Sequence, residues 1–439
     1  MKTKSVQDFF ENEYVNQASY DNLRKIASCI DGLKNSSRKV ICTTIDKNIS
    51  ENLKISQFSN KAAEYCEYLH GDLSPVVTNL AKDFSGTNNL PLLFKKGNFG
   101  TRLSNEASAP RYIFARKSDN LDTLFVKDDN SILVEQYFEG SKIEPKFYVP
   151  SLPLLLINGS EGISSGFAQK ILTRDVKEIK KYLTYTLQGK EPKKFPLPSF
   201  NGFNGTVEQG ETTNQFLIKG VLEKSKRNTI LITELPIGYE LMSYIKVLDD
   251  LEENKAIKSY KDLSDNQFLF EVNVDAQVYN LPVDELLEHF KLVKKVSENY
   301  TSLDENNKIV EFDSPTQIMQ RYISVKLEYM GKRKNSILEN LQSKIDANNT
   351  KYQFIKYVVE DKLVLNKRKR SEIEADMESL GLPKNENYDY LLKLPIISLT
   401  EEEMERLKTQ TDKYLSELNT LQSTSEVEMF LKDISAVLM

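Results

Sequence analysis

At 439 residues the chain has room for about three domains. Its 39% apolar and 28% charged residues suit a soluble, largely helical protein. A formal net charge of −5 excludes a polycation, so any nucleic-acid contact must rest on local positive surface. The three cysteines, Cys29, Cys42 and Cys66, form no CxxC pair and read as reduced thiols in a cytosol-like compartment. The start, "MKTKSVQDFF", has no apolar signal-peptide core. The longest apolar run, Leu152–Ile157, is broken by Pro153 and too short to span a membrane. The expected location is cytoplasmic.

Residues 19–82 read as helices joined by turns, with a break at Asp31-Gly32 in "NLRKIASCIDGLKNSSRKVICTTI". A helix, turn, helix with basic residues on its second helix suits DNA docking; a solvated helix pair is the alternative. Positive charge gathers in two places. Residues 19–47 carry Arg24, Lys25, Lys34, Arg38, Lys39 and Lys47, and residues 91–118 carry Lys95, Lys96, Arg102, Arg111, Arg116 and Lys117. Residues 150–170 alternate an apolar run with Gly and Ser. Between 200 and 275, "NGFNGTVEQ", "NQFLIKGVLEK", "TILITELPIG" and "QFLFEVNV" read as strands, with helices at 237–255 and 282–294. From 314 the character changes. Ser314-Pro315-Thr316-Gln317 reads as a capping box opening a long helix. Leu338, Leu341, Ile345, Tyr352, Ile355 and Val359 keep heptad spacing, with Asn348 in one slot. A helical segment from about 371 stops at Gly381-Leu382-Pro383. Thr400 then caps a second heptad helix carrying Met404, Leu407, Thr411, Tyr414, Leu418 and Leu421. Two such helices around a helical insert predict an antiparallel coiled coil with a small knob.

Several chemistries drop out. "GTVEQGET" has the glycine spacing of a phosphate loop, but Glu211 stands where a lysine is needed, so it reads as a turn. No other Walker-type loop and no DxD pattern is present. His289 sits on an ordinary amphipathic helix. His70, before Gly71-Asp72, is placed to donate to a phosphate oxygen or move a proton, or to be a turn residue. Tyr112 lies in "ASAPRYIFARKS", a short Ala/Ser/Pro-rich stretch among cations, where structure, phosphate binding and covalent chemistry on a phosphate are all open.

Taken together, these segments resemble a known family in order and spacing. "RKIASCIDGLKNSSRKV", "YLHGD", "GNFGTR", "APRYIFAR", "LLLINGSEGISSGF", "ITELPIG" and "KLEYMGKRKNSIL" resemble successive motifs of the DNA breakage-reunion part of type II topoisomerases. The match is best to the medium subunit of T-even-type phage enzymes. Ala27 and Asn35 stand where the family has prolines.

The resemblance implies a multidomain α+β chain. A winged-helix cleavage domain would occupy 1–149 and an α/β tower 150–313. A first coiled-coil helix would span 314–365, a small helical C-gate dimerisation knob 366–399, and the returning helix 400–439. It implies Tyr112 as the nucleophile that keeps the 5′ phosphate, with Arg111, Arg24 and His70 on the scissile phosphate. Lys34, Arg38 and Lys39 would grip the duplex, with Lys95, Lys96 and Arg102 adding to the basic surface, and Ile163 would wedge into a base step. The implied partners are double-stranded DNA, a second copy through the C-gate, and a Toprim/ATPase chain that binds Mg²⁺ and ATP. No metal site is expected on this chain, and no membrane. Relaxation by strand passage fits better than active supercoiling. The location would be the bacterial host cytoplasm. A non-catalytic DNA clamp of the same architecture is the alternative; a coiled-coil scaffold with no DNA role is a third.

Overall fold

The computed structural model describes residues 5–190, 192, 194–226 and 228–438. They divide into two compact units: the residues up to Leu327 together with those from Leu431 onward, and Glu328–Phe430.

After a helical lead-in over residues 6–14, the first unit has α1 (Val15–Lys25), α2 (Asn35–Asp46), β1 (Leu53–Lys54), α3 (Ile55–Tyr65) and α4 (Ser74–Ala81), the helices expected over 19–82. Gly32, in the turn between α1 and α2, has φ +68°, and a Cβ there would lie 2.4 Å from the Leu155 backbone nitrogen. The turn therefore needs glycine for both its conformation and its packing. β2 (Leu93–Lys96) and β3 (Phe114–Lys117) complete a three-stranded antiparallel sheet in the order β1-β3-β2. Lys54 pairs with Phe114 and Lys95 with Ala115.

The apolar run becomes α5 (Leu154–Asn158), with Leu154, Leu155, Leu156 and Ile157 all buried. A hairpin follows, β4 (Ser160–Ile163) against β5 (Ala168–Ile171), then α6 (Val176–Leu187), capped by the Asp175 side chain. The predicted strand segments give β6 (Thr206–Gln209), β7 (Gln215–Lys219), β8 (Val221–Lys224) and β9 (Thr229–Glu234). "GTVEQGET" is accordingly a strand and its turn. Helix α7 (Leu241–Glu253), β10 (Ser259–Asp262), β11 (Phe270–Asn273), α8 (Val283–His289) and β12 (Val293–Ser297) complete this part. One antiparallel sheet runs β8-β9-β11-β10, the other β12-β7-β6. Ile230, Ile232, Phe270 and Val272 pack on Tyr244 and Leu248 of α7 and Leu286 of α8.

One expectation is corrected here. The helix read over 282–294 stops at His289, because Lys291 takes a left-handed φ of 55° while Phe290 and Leu292 turn inward. Val293–Ser297 then pairs with β7 instead. Strand β10, "SYKD", carries too few β-branched residues to be read from sequence.

The long helix is α9 (Pro315–Val359). Its cap closes on Asp313 rather than Ser314: Gln317 accepts from the Asp313 N–H (2.9 Å) and donates to its Oδ2 (3.1 Å). The compact units part inside this helix, at 327/328. Ile318, Met319, Tyr322 and Val325 are buried in the first unit, where the Tyr322 hydroxyl donates to the Pro150 carbonyl (2.7 Å) and Lys326 Nζ to that of Val149 (2.6 Å).

In the second unit α9 runs antiparallel to α11 (Glu401–Ser423), with α10 (Arg370–Ser379) in the insert between them. Leu341 and Ile345 meet Leu418 and Tyr414. Further along, Phe354 and Ile355 meet Leu407 and Met404, together with the insert's Ile373, Met377, Tyr388 and Leu391. This is the antiparallel heptad seam and the knob that the spacing predicts. The Asn348 amide nitrogen lies buried in the seam without a hydrogen-bond partner among the described residues. The last helix, α12 (Glu426–Ala436), leads back to the first unit, where the Asn120 side chain exchanges hydrogen bonds with the Leu438 backbone (3.0 Å each).

Candidate nucleic-acid interface

Tyr112 lies on the loop leading into β3. The loop is pinned by backbone bonds to the first turn of α3, Ile55 N–H to the Ile113 carbonyl (3.0 Å) and Ser56 N–H to that of Pro110 (3.3 Å). Ile113 is buried and anchors it. Tyr112 itself is 66% exposed, and its hydroxyl has no hydrogen-bond partner among the described residues. The Arg111 guanidinium lies 5.0 Å from the Tyr112 ring centre. A phenol held outward beside a guanidinium that carries no carboxylate among the described residues is a group available to something outside the chain.

His70 follows α3. Gly71 has φ +111°, and the next residue, Asp72, accepts from the Ser59 hydroxyl (2.6 Å) and the Ser74 N–H (2.8 Å), fixing the start of α4. Burial alone would raise the Asp72 carboxyl, but these bonds hold it below the ordinary carboxylate range. The His70 imidazole is exposed and hydrogen-bonded through Nε2 to the Tyr20 hydroxyl, while Arg24 lies over the Tyr20 ring. The structure thus joins His70 and Arg24 through Tyr20, and separately pairs Arg111 with Tyr112. Sequence reasoning missed Tyr20; its signal was the four-residue step to Arg24 on one helix.

Ile163 is at the end of β4, 78% exposed, on a hairpin whose tip turns through Gly166 at φ +79°. The hairpin is fastened to α1 and to the residues after it. Ser165 donates to Asp21 (3.0 Å), and the Gln169 amide bonds the Ala27 N–H (2.9 Å) and carbonyl (3.2 Å). Gly162 lies so close that a Cβ would sit 2.1 Å from the Lys25 carbonyl oxygen. Lys34 donates to the Glu161 carbonyl (2.6 Å), and burial depresses its ammonium.

The other predicted cations part company. Arg38 and Lys39, expected on the duplex, are only 4% and 7% exposed. Arg38 is bidentate to Asp31 (2.8 and 3.1 Å), and Lys39 pairs with Glu144 (2.7 Å) and donates to the Cys66 carbonyl (2.7 Å). The basic face of α2 therefore points inward: a buried ammonium or guanidinium is tolerated only with such partners. As placed here, both cations seat α2. Arg102 is likewise committed inside, to the carbonyls of Leu235 (2.7 Å), Pro236 (3.2 Å) and Tyr239 and to the ring of Phe268 at 4.8 Å. Lys95 is ion-paired with Asp83, whereas Lys96 is exposed. No three His, Cys, Asp or Glu side chains converge on a cation site among the described residues, and no helix there is long and apolar enough to cross a membrane.

The outward phenol and guanidinium, the imidazole-guanidinium pair and the exposed isoleucine on its fastened hairpin are groups that the fold leaves open to an outside ligand. Comparison with known proteins makes the class definite: the family of DNA gyrase/topoisomerase IV A-subunits matches residues 24–437, and the chain belongs to that family. It is 32% identical over 451 residues to the mitochondrial DNA topoisomerase 2 of Dictyostelium discoideum, covering 99% of this chain and 35% of that protein. It is 30% identical to rat DNA topoisomerase 2-alpha, covering 98% of this chain and 31% of that one. The chain thus spans about a third of the length of these curated relatives. Among solved structures it is similar to the DNA-binding, cleavage and re-ligation domain of Plasmodium falciparum topoisomerase II. The TM-score is 0.86 at 29% identity, covering 98% of this chain and 63% of that one.

Proposed function

We propose that this chain is the cleavage and religation part of a type II DNA topoisomerase. It would cut duplex DNA through a transient 5′-phosphotyrosyl ester at Tyr112 and relax supercoils by strand passage. The observation that carries this reading is the outward, unpartnered Tyr112 hydroxyl beside Arg111 on a loop held by α3. In the forward step the phenolic oxygen bonds to phosphorus as the P–O3′ bond breaks. The phenol gives up its proton and the departing 3′ oxygen takes one. Religation reverses the exchange, and because the ester retains the bond energy it needs no ATP. Arg111, Arg24 and His70 donate to the phosphoryl oxygens as charge builds on them, the fork of each arginine suiting two oxygens. Ile163 unstacks a base step, at a cost of roughly a few kcal/mol that wider contact offsets. Lys34 and Lys96 serve the flanking backbone.

On the family resemblance, Mg²⁺ and ATP are assigned to a Toprim/ATPase partner chain, and no step is routed through them. Two copies are required, one tyrosine for each strand, and the knob offers Ile396 and Ile397, both more than 80% exposed, as the apolar surface for that pairing. From the order of its motifs we assign the chain to the T-even-type phage branch, with the host cytoplasm as its location. The test mixes the chain with a Toprim/ATPase partner, Mg²⁺ and duplex DNA, denatures, and looks for protein on 5′ ends. Wild type gives an adduct and Tyr112→Phe gives none. An adduct from the variant moves the nucleophile elsewhere. DNA binding by wild type without any adduct supports the clamp instead.

A further inference from the structure

Tyr20 touches both of the groups assigned to the phosphate in different ways. Its hydroxyl is hydrogen-bonded to His70 Nε2, with the two rings 5.5 Å apart at 57°. Its ring face carries the Arg24 guanidinium at 5.6 Å, across one turn of α1. Tyr68 closes the other side of the imidazole edge-on, at 5.7 Å and 74°. The imidazole is thus restrained by two aromatic rings yet remains exposed.

We propose that Tyr20 is a positioning residue that makes His70 and Arg24 one anion-binding unit and selects the imidazole nitrogen that meets the phosphate. This rests on the reading of His70 and Arg24 as phosphate ligands. A phenol is a better donor than acceptor, and a neutral imidazole has one acceptor nitrogen. With Tyr20 donating to Nε2, the ring proton resides on Nδ1. Nδ1–H is then the donor left for a phosphoryl oxygen. The hydroxyl orients the imidazole while the ring positions the guanidinium, so one side chain sets the spacing of two ligands without touching DNA itself.

The chain's two histidines make the test direct. The full chain carrying ¹⁵N-histidine gives two imidazole signal sets, and His289→Gln assigns them. At a pH where the ring is neutral, wild-type His70 reports the Nδ1–H tautomer, and Tyr20→Phe shifts it toward the Nε2–H form that a free imidazole favours. In the adduct assay Tyr20→Phe slows covalent-complex formation by about tenfold, one hydrogen bond's worth, with duplex affinity changed by less than about twofold. Tyr20→Leu, which also removes the ring under Arg24, falls further. An unchanged tautomer in Tyr20→Phe overturns the proposal, as does an unchanged rate where wild type cleaves. If wild type forms no adduct at all, the functional reading fails, and the tautomer alone decides whether Tyr20 orients His70.

Discussion

Helix α2 and the loop before β3 carry the same kinds of side chain and use them in opposite ways. On α2, Arg38 and Lys39 are buried against Asp31 and Glu144. On the loop, Arg111 and Tyr112 are exposed, and Arg111 contacts the ring beside it. The difference is the presence of a carboxylate inside the fold. Asp31 also accepts the N–H of Leu33 (3.0 Å) and Tyr148 (3.0 Å), so it is a junction that needs Arg38 to neutralise it. The loop's own acid, Glu106, is exposed, and Arg111 has no ion pair among the described residues. A basic residue therefore signals an outside anion only where the fold has not already supplied an inside one.

Substitutions on the two sides of this contrast separate by size of effect. Arg38→Met leaves Asp31 buried and uncompensated, and should lower unfolding stability by about 3–5 kcal/mol. Arg111→Met should stay within about 0.5 kcal/mol in the same denaturation series. Equal costs would erase the distinction. Gly162→Ala comes next: the added methyl collides with the Lys25 carbonyl, and the shift of β4 should cost about 1–3 kcal/mol in urea midpoint terms. A smaller effect belongs to Asp72. Its carboxyl is held below its usual value of 3.8, so its charge stabilises the fold above that value and the contribution disappears as pH falls through the lower, folded-state value. Asp72→Asn should therefore be less stable than wild type at pH 7 by under about 1 kcal/mol, since the site is largely exposed. The gap should narrow as pH falls below 3.8 and close only below the folded-state value; a gap constant with pH would mean that the charge plays no part. The smallest stability change is expected for Ile163→Ala, within about 0.5 kcal/mol at so exposed a site. Duplex bending, read by energy transfer between end labels, should nevertheless fall clearly. Retained bending would remove Ile163 from the interface.

Periodicity made much of the fold legible. The heptads of α9 and α11 required only that apolar residues recur at 3.5-residue spacing, and they pair as antiparallel neighbours at the residues expected. The strands from 206 to 234 were legible because β-branched residues alternate between turn residues. Strand β12 was hidden because the turn that ends α8 depends on Lys291 adopting a left-handed conformation, which nothing in "HFKLVKKVS" announces. At the candidate site, Tyr112, Arg111, His70, Arg24 and Ile163 were singled out through the family resemblance, and Tyr20 was not, since its role exists only once α1 and the turn after α3 meet.

The linear order of residues determined the element types, the seam of the coiled coil and the family, because these depend on local spacing and motif order that survive in one dimension. Which cations face outward was decided by tertiary structure alone. Asp31 and Glu144, the latter 105 residues from Lys39, became partners when the chain closed. A buried charge must find its counter-charge wherever the fold has placed it, and spacing along the chain does not say where that is.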